Sequence, residues 1–250
     1  MSKKVLIVDI GNTAIEFAVF EGENLQEFLG FFKIPDDTEN IKKVLNSYKN
    51  QGLKLDEGMI FSVVPKNNEM VQKVVEEVFK IKPEIFDWES YDLENRNPEI
   101  KEAIGADLLA DIKEARKEKL YPCLVADFGT ITKLLLVNED GSFEGLSLIP
   151  GFETTVKSFS SSTALLPELN DLSFVKDKLG ISSSTSMLHG AYWSSIYYVK
   201  EVFKSVNKGN TKLIITGGNH RFFKDEFSDA IIDPRFTLKG MNVLFQETLK

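Results

Sequence analysis

Apolar and polar positions along this 250-residue chain follow two rhythms, and the rhythms succeed one another in the same order twice. Short apolar runs bounded by turn residues predict strands over 4–8, 14–20 and 25–32, with Glu21-Gly22-Glu23-Asn24 turning between the last two. A helical rhythm follows over 38–50, capped by Thr38 or Asp37. The run Met59 to Val64 reads as a buried strand ended by Pro65. From Asn68 to Lys80 the apolar residues Met70, Val71, Val74, Val75 and Val78 share one helical face. A polar stretch from Ser90 to Lys101 reads as a surface loop leading into a helix over 104–119. The order then returns: strands over 122–126, 131–138 and 144–149, turned by Asn138-Glu139-Asp140-Gly141, and helices over 151–165 and 184–206. Lys212 to Ile215 and Ala230 to Ile232 read as strands, and 237–249 as a closing helix. No linker rich in proline, glycine or serine separates the halves. The predicted division is 1–115 and 116–250, joined by the 104–119 helix.

The repeat carries chemistry at its first strand–turn–strand step. Asp9-Ile10-Gly11-Asn12-Thr13 follows Val5-Leu6-Ile7-Val8, and Asp127-Phe128-Gly129-Thr130-Ile131-Thr132 follows Cys123-Leu124-Val125-Ala126, 118 residues later. An internal repeat at this distance points to two similar half-domains, not to a solenoid. Glycine after a strand lets the chain turn tightly and lets an anion approach the main chain. Backbone N–H groups and the side chains of Asn12, Thr13, Thr130 and Thr132 are donors suited to phosphate oxygens. The aspartates carry the wrong charge for phosphate but suit a cation that travels with it, bound directly or through water. Paired turns of this kind suit a nucleoside triphosphate. Asp, Gly and Thr are also ordinary hairpin residues, so it is the repetition that makes the functional reading.

Charge narrows the class. A net charge of −8 argues against sequence-independent nucleic-acid binding, which needs a basic surface. Four strongly apolar residues precede Asp9, too few for a signal peptide or a membrane span. The single Cys123 excludes an internal disulfide framework. His189 and His220 have no partner at metal-ligand spacing, which speaks against zinc. A cytoplasmic enzyme is the class these features suggest. The helix over 184–206 is apolar on more than one side, as either a central core helix or a dimer interface is.

Further landmarks fall in order: Ser62-Val63-Val64-Pro65, Gly105-Ala106-Asp107, Ile149-Pro150-Gly151, Ala164-Leu165-Leu166-Pro167, Ser184-Thr185 and Thr216-Gly217-Gly218. With the two acidic turns they make the chain resemble the type III pantothenate kinases, within the acetate and sugar kinase, Hsp70 and actin superfamily. The resemblance spans nearly the whole chain. It implies an α/β fold of two ribonuclease H-like (actin-like ATPase) half-domains with a cleft between them. It implies ATP-dependent phosphorylation of pantothenate to 4'-phosphopantothenate, the first step of coenzyme A biosynthesis. Asp107 matches the catalytic base. Asp9, Gly11, Asn12, Thr13, Thr130, Thr132, Gly217 and Gly218 match the ATP site, and Gly105, Ala106, Asp107, Leu108 and Thr185 the pantothenate site. Asp127 matches the ligand of a monovalent cation, K+ or NH4+, and Asp9 a water-mediated ligand of Mg2+. A homodimer is implied, with no nucleic-acid or membrane partner.

The chain departs from the pattern in places. Leu108 stands where the motif has arginine, Lys133 where it has threonine, and Ala14 where a polar or basic residue is usual. The tyrosine expected on pantothenate has no clear counterpart, and Tyr91 is a poor candidate. Losing a guanidinium that binds substrate costs about 1.5–3 kcal/mol. Two alternatives therefore stay beside the kinase reading: a degenerate nucleotide-binding regulator or pseudoenzyme, and a kinase of another small alcohol. Lys133 either brings a positive charge to the γ-phosphate or faces solvent. Strand alternation sets it opposite Thr132, so a phosphate-facing Thr132 predicts a solvent-facing Lys133. Asp107 is read both as a base and as a helix N-terminal aspartate stabilised by the dipole.

Overall fold

The computed structural model describes residues 3–34, 38–88, 91, 104–173 and 179–249. Asp37 as an alternative cap, and all of the loop from Ser90 to Lys101 except Tyr91, lie outside them. The chain divides into two compact units, Met1–Glu118 with Phe236–Lys250, and Lys119–Arg235.

Unit 1 is built on β1 (Lys4–Ile10), β2 (Ala14–Glu21), β3 (Asn24–Lys33), β4 (Glu57–Ser62) and β5 (Glu84–Ile85), in spatial order β3-β2-β1-β4-β5. The β1–β2 and β2–β3 pairs are antiparallel, and β4 and β5 add in parallel. Parallel addition needs a crossover, which α1 (Thr38–Asn50) and α2 (Asn68–Phe79) supply. The even-numbered β1 residues Leu6, Val8 and Ile10 join a core with Ile41 and Leu45 of α1 and with Val71, Val74, Val75 and Val78 of α2. These are the valines that the helical rhythm aligned. The opposite face takes α3 (Ala106–Lys117), against β4, and the closing helix α7 (Phe236–Thr248), against β1.

Unit 2 repeats the plan: β6 (Cys123–Phe128), β7 (Ile131–Val137), β8 (Phe143–Pro150), β9 (Lys212–Thr216) and β10 (Ile231–Ile232), in order β8-β7-β6-β9-β10. The pairing senses are those of unit 1. Between β8 and β9 run α4 (Phe152–Ser162) and α5 (Ser183–Val206), and the short α6 (His220–Phe223) follows β9. One face of β6 (Leu124, Ala126, Phe128) forms a core with Phe152, Leu188, Ala191, Tyr192, Ile196 and Phe223. Tyr192 is fully buried and donates to Glu226 Oε1 at 2.9 Å; burial, then the carboxylate, push its hydroxyl pKa upward.

Two identically ordered mixed sheets are the ribonuclease H-like halves that the repeat predicts. One assignment differs. Reading 116–250 as one half leaves the closing helix in unit 2, whereas α7 packs along α3 in unit 1. Gly240 permits that contact: a Cβ there would lie 1.9 Å from the Ala110 carbonyl oxygen. Asn242 Nδ2 also donates to the Gly22 carbonyl at 2.9 Å, fixing α7 to the β2–β3 turn.

Candidate active site

The first acidic turn grows out of β1 in unit 1. Strand alternation puts Asp9 in the row of Val5 and Ile7, opposite the α1/α2 core and on the face that carries α3 and α7. Glu16 of β2 stands directly across from Asp9 in the register, so two carboxylates share one face at the strand ends. Asn12 and Thr13 are exposed, and the turn closes through Gly11 N–H donating to the Ala14 carbonyl at 2.9 Å. The Val63 N–H donates to the Ile10 carbonyl at 3.1 Å, and Ser62 Oγ accepts from the Val64 N–H at 3.1 Å. Val63 in turn lies against Gly105, the N-cap of α3. Unit 1 thereby gathers the Asp9 turn, the Ser62-Val63 strand end and the start of α3 into one neighbourhood.

Asp107 sits half-buried in the first turn of α3. Its Oδ1 accepts the Leu108 N–H at 2.9 Å. Ala106 and Leu108 are buried, at 1% and 4% exposure. The Leu108 side chain is enclosed and carries no donor, so it offers a substrate no hydrogen bond in place of the guanidinium. Tyr91 donates its hydroxyl to Glu247 and lies beside Lys113.

The second acidic turn belongs to unit 2 and is braced from two sides. The Gly151 N–H and Thr154 Oγ1, at the start of α4, donate to the Thr130 carbonyl at 2.9 and 2.7 Å. The Asn219 side chain donates to the Gly129 carbonyl at 3.2 Å, and its N–H to the Phe128 carbonyl at 2.8 Å. Gly217 has φ +85°, a left-handed conformation that glycine reaches without strain. A Cβ there would also strike Asp127 Oδ1 at 2.2 Å. Asp127, Gly129, Thr130 and Gly217 therefore form one assembly, with Gly218 exposed beside it. His220 bonds through Nδ1 to the Gly217 carbonyl at 2.8 Å.

Two expectations fail here together. Thr132 is fully buried and pairs in register with Phe128, on the core face, so its hydroxyl does not reach a phosphate at the strand ends. Lys133 is not a solvated charge: it stands across from Asp127, with Nζ 2.5 Å from Oδ2 and side chains 16% and 10% exposed. The reason is alternation counted from the right residue. Directly opposed residues share a face, so Lys133 follows Asp127 and Thr132 follows Phe128. Thr216 shares the Asp127 face through the parallel register; its buried hydroxyl has no hydrogen-bond partner among the described residues.

Thr185, expected on substrate, is the N3 residue of a capping box on α5. Ser182 Oγ accepts the Thr185 N–H at 3.2 Å, and Thr185 Oγ1 accepts the Ser182 N–H at 3.0 Å. Thr185→Ala should lower stability by about 1 kcal/mol in urea denaturation. A raised substrate KM at unchanged kcat would reveal a substrate contact in addition. No group of three or more His, Cys, Asp or Glu among the described residues could hold a metal ion. No helix among them is long and apolar enough to cross a membrane.

A family model described as type III pantothenate kinase matches residues 5–205. A protein of that name from Agathobacter rectalis is 30% identical over 256 residues, covering 97% of each chain. Another, from Dehalococcoides mccartyi, is 27% identical over 98% of each. Among solved structures, a conserved putative Baf family transcriptional activator from Campylobacter jejuni aligns over 98% of each chain with TM-score 0.59 and 17% identity. Component A of the Acidaminococcus fermentans (R)-2-hydroxyglutaryl-CoA dehydratase aligns over all of both chains with TM-score 0.55 and 12% identity. At those identities the structural matches speak for the fold alone.

Proposed function

Because the chain belongs to the type III pantothenate kinase family, we propose a division of labour among its residues in the family's reaction. That reaction is ATP-dependent phosphorylation of pantothenate to 4'-phosphopantothenate, which opens coenzyme A biosynthesis. The observation that carries the residue assignment is the unit 1 neighbourhood, which sets Asp107 at the N-terminus of α3 beside the Asp9 turn.

Phosphoryl transfer has a loose transition state, so the protein's work is positioning and charge neutralisation. Asp107 orients the acceptor hydroxyl and takes its proton as the bond to phosphorus forms. A carboxylate suffices, because transfer does not require a fully formed alkoxide. The main-chain donors of the Gly11–Thr13 and Gly129–Thr130 turns, with the Asn12, Thr13 and Thr130 side chains, bind phosphate oxygens. Gly217 and Gly218 allow the main chain to lie close to the nucleoside.

Asp9 and Glu16 suit a magnesium ion that arrives with the triphosphate. Opposed like charges on a sheet face are unfavourable, and Mg2+ typically keeps several waters while using one or two carboxylates and the phosphates. When bound, the ion neutralises phosphate charge. A monovalent cation fits Asp127 poorly. A Lys133 ammonium is already on its carboxylate, and a second cation about 4 Å from it would be repelled by about 4 kcal/mol at an intermediate dielectric. The homodimer implied by the family stays part of this proposal; Tyr197 on α5, 53% exposed and stacked on Trp193, supports such a contact.

The test is direct. The purified chain with Mg2+, ATP and pantothenate should yield one ADP per 4'-phosphopantothenate, read by coupled assay and mass spectrometry. Nucleotide binding with no phosphorylated pantothenate would overturn the assignment. Phosphorylation of a different small alcohol in a parallel panel would move it to that acceptor.

A further inference from the structure

We infer that Lys133 is the built-in cation of the second acidic turn, so that this chain binds and uses its nucleotide without a dissociable monovalent cation. The inference rests on the nucleotide-binding reading above and deepens it.

Three observations converge. Lys133 is the cross-strand partner of Asp127, so its position is set by the β6–β7 register and not by a chance rotamer. The ammonium is 2.5 Å from Asp127 Oδ2, and both side chains are largely withdrawn from water. The other carboxylate oxygen, Oδ1, is the atom a Gly217 Cβ would strike, so Asp127 is enclosed by the lysine on one side and the 216–218 turn on the other. An ammonium has three N–H donors, and it lies on the same sheet face as the Thr216 hydroxyl, which lacks a partner among the described residues. The Lys133 ammonium thereby already occupies the cation position on Asp127. A loosely held potassium ion would compete for the same carboxylate against a tethered rival. The tether keeps the ammonium at the carboxylate whatever the salt in the buffer.

The experiment uses the full chain and two readouts. Binding of Mg2+ with a non-hydrolysable ATP analogue is measured by calorimetry in potassium chloride and in choline chloride at equal ionic strength. Pantothenate phosphorylation is measured in the same buffers. For the wild type, both should change by less than about twofold between salts. Lys133→Ala should bind the analogue roughly ten- to a hundredfold more weakly in choline, the loss expected for one charge-assisted contact. Potassium should restore much of that loss, and Lys133→Arg should stay salt-insensitive. The inference is overturned if wild-type binding falls tenfold when potassium is removed, or if Lys133→Ala binds as the wild type does in both salts. If Lys133→Ala does not fold, the wild-type salt comparison decides alone. Salt-insensitive nucleotide binding without phosphopantothenate would overturn the kinase assignment and leave this inference standing. Potassium-dependent binding with phosphopantothenate formation would do the reverse.

Discussion

Replacing Asp107 by asparagine should lower kcat with pantothenate by roughly a hundred- to ten-thousandfold, the range for removing a general base. Asparagine keeps the size of the side chain and an oxygen that can accept the Leu108 N–H, now at 2.9 Å. It removes the negative charge and the ability to take a proton. If Asp107 were only a helix N-terminal aspartate, the change would cost about 0.3–1 kcal/mol of stability and leave turnover intact. The two roles separate cleanly in one pair of measurements, steady-state kinetics and thermal unfolding. A catalytic Asp107 gives collapsed kcat, nearly unchanged ATP affinity and a melting temperature within a few degrees of wild type. A variant within threefold of wild-type kcat would remove Asp107 from the mechanism.

What could be read from the chain, and what could not, divides along the range of the interactions concerned. Elements set by local rhythm were legible. The aligned Val71, Val74, Val75 and Val78 are all buried, and the repeated order of strands and helices corresponds to two sheets of identical strand order. The turn that carries Asp127 and Thr130, and the separate turn at Gly217, were legible as residues, though not the bracing of the first by Asn219 and Thr154. Register was the first loss. Four residues separate the paired Ile10 and Ile15, whereas three separate Phe128 and Thr132. Two turns alike in sequence therefore differ in what faces their aspartates: Glu16 in one, Lys133 in the other. A one-residue change of hairpin register exchanges the faces of a strand. Without the loop conformation, Thr132 and Lys133 could be set on opposite faces but not assigned to them. Glu16 was missed for the same reason. Leu108 was compared with an arginine on motif position alone, and only packing revealed that the position is enclosed. The closing helix was the second loss, because its neighbour α3 lies more than a hundred residues earlier in the chain.

That non-local contact carries the largest expected change in stability. Gly240→Ala should lower the stability of unit 1 by about 3 kcal/mol, the upper part of the range for overpacking a core. Its added methyl would lie 1.9 Å from the Ala110 oxygen, 2.4 Å from its carbonyl carbon and 3.0 Å from its Cα. All three are main-chain atoms of α3, so no side chain can swing aside and the two helices must separate. Alanine recovers about 1 kcal/mol over glycine from helix propensity, which is included in that figure. Gly190 in α5 supplies the matched control, since a Cβ there meets nothing within 4 Å. Gly190→Ala should be neutral or stabilising by up to about 1 kcal/mol. Scanning calorimetry should therefore show Gly240→Ala melting about 6–12 °C below wild type, and Gly190→Ala at or slightly above it. Ala110 lies about one helical turn beyond Asp107, so the displaced helix should also carry the base out of position. Gly240→Ala should lose kcat even at temperatures where it remains folded, while Gly190→Ala keeps it. Equal melting temperatures for the two variants would mean that α3 and α7 are not in the close contact on which Asp107 depends.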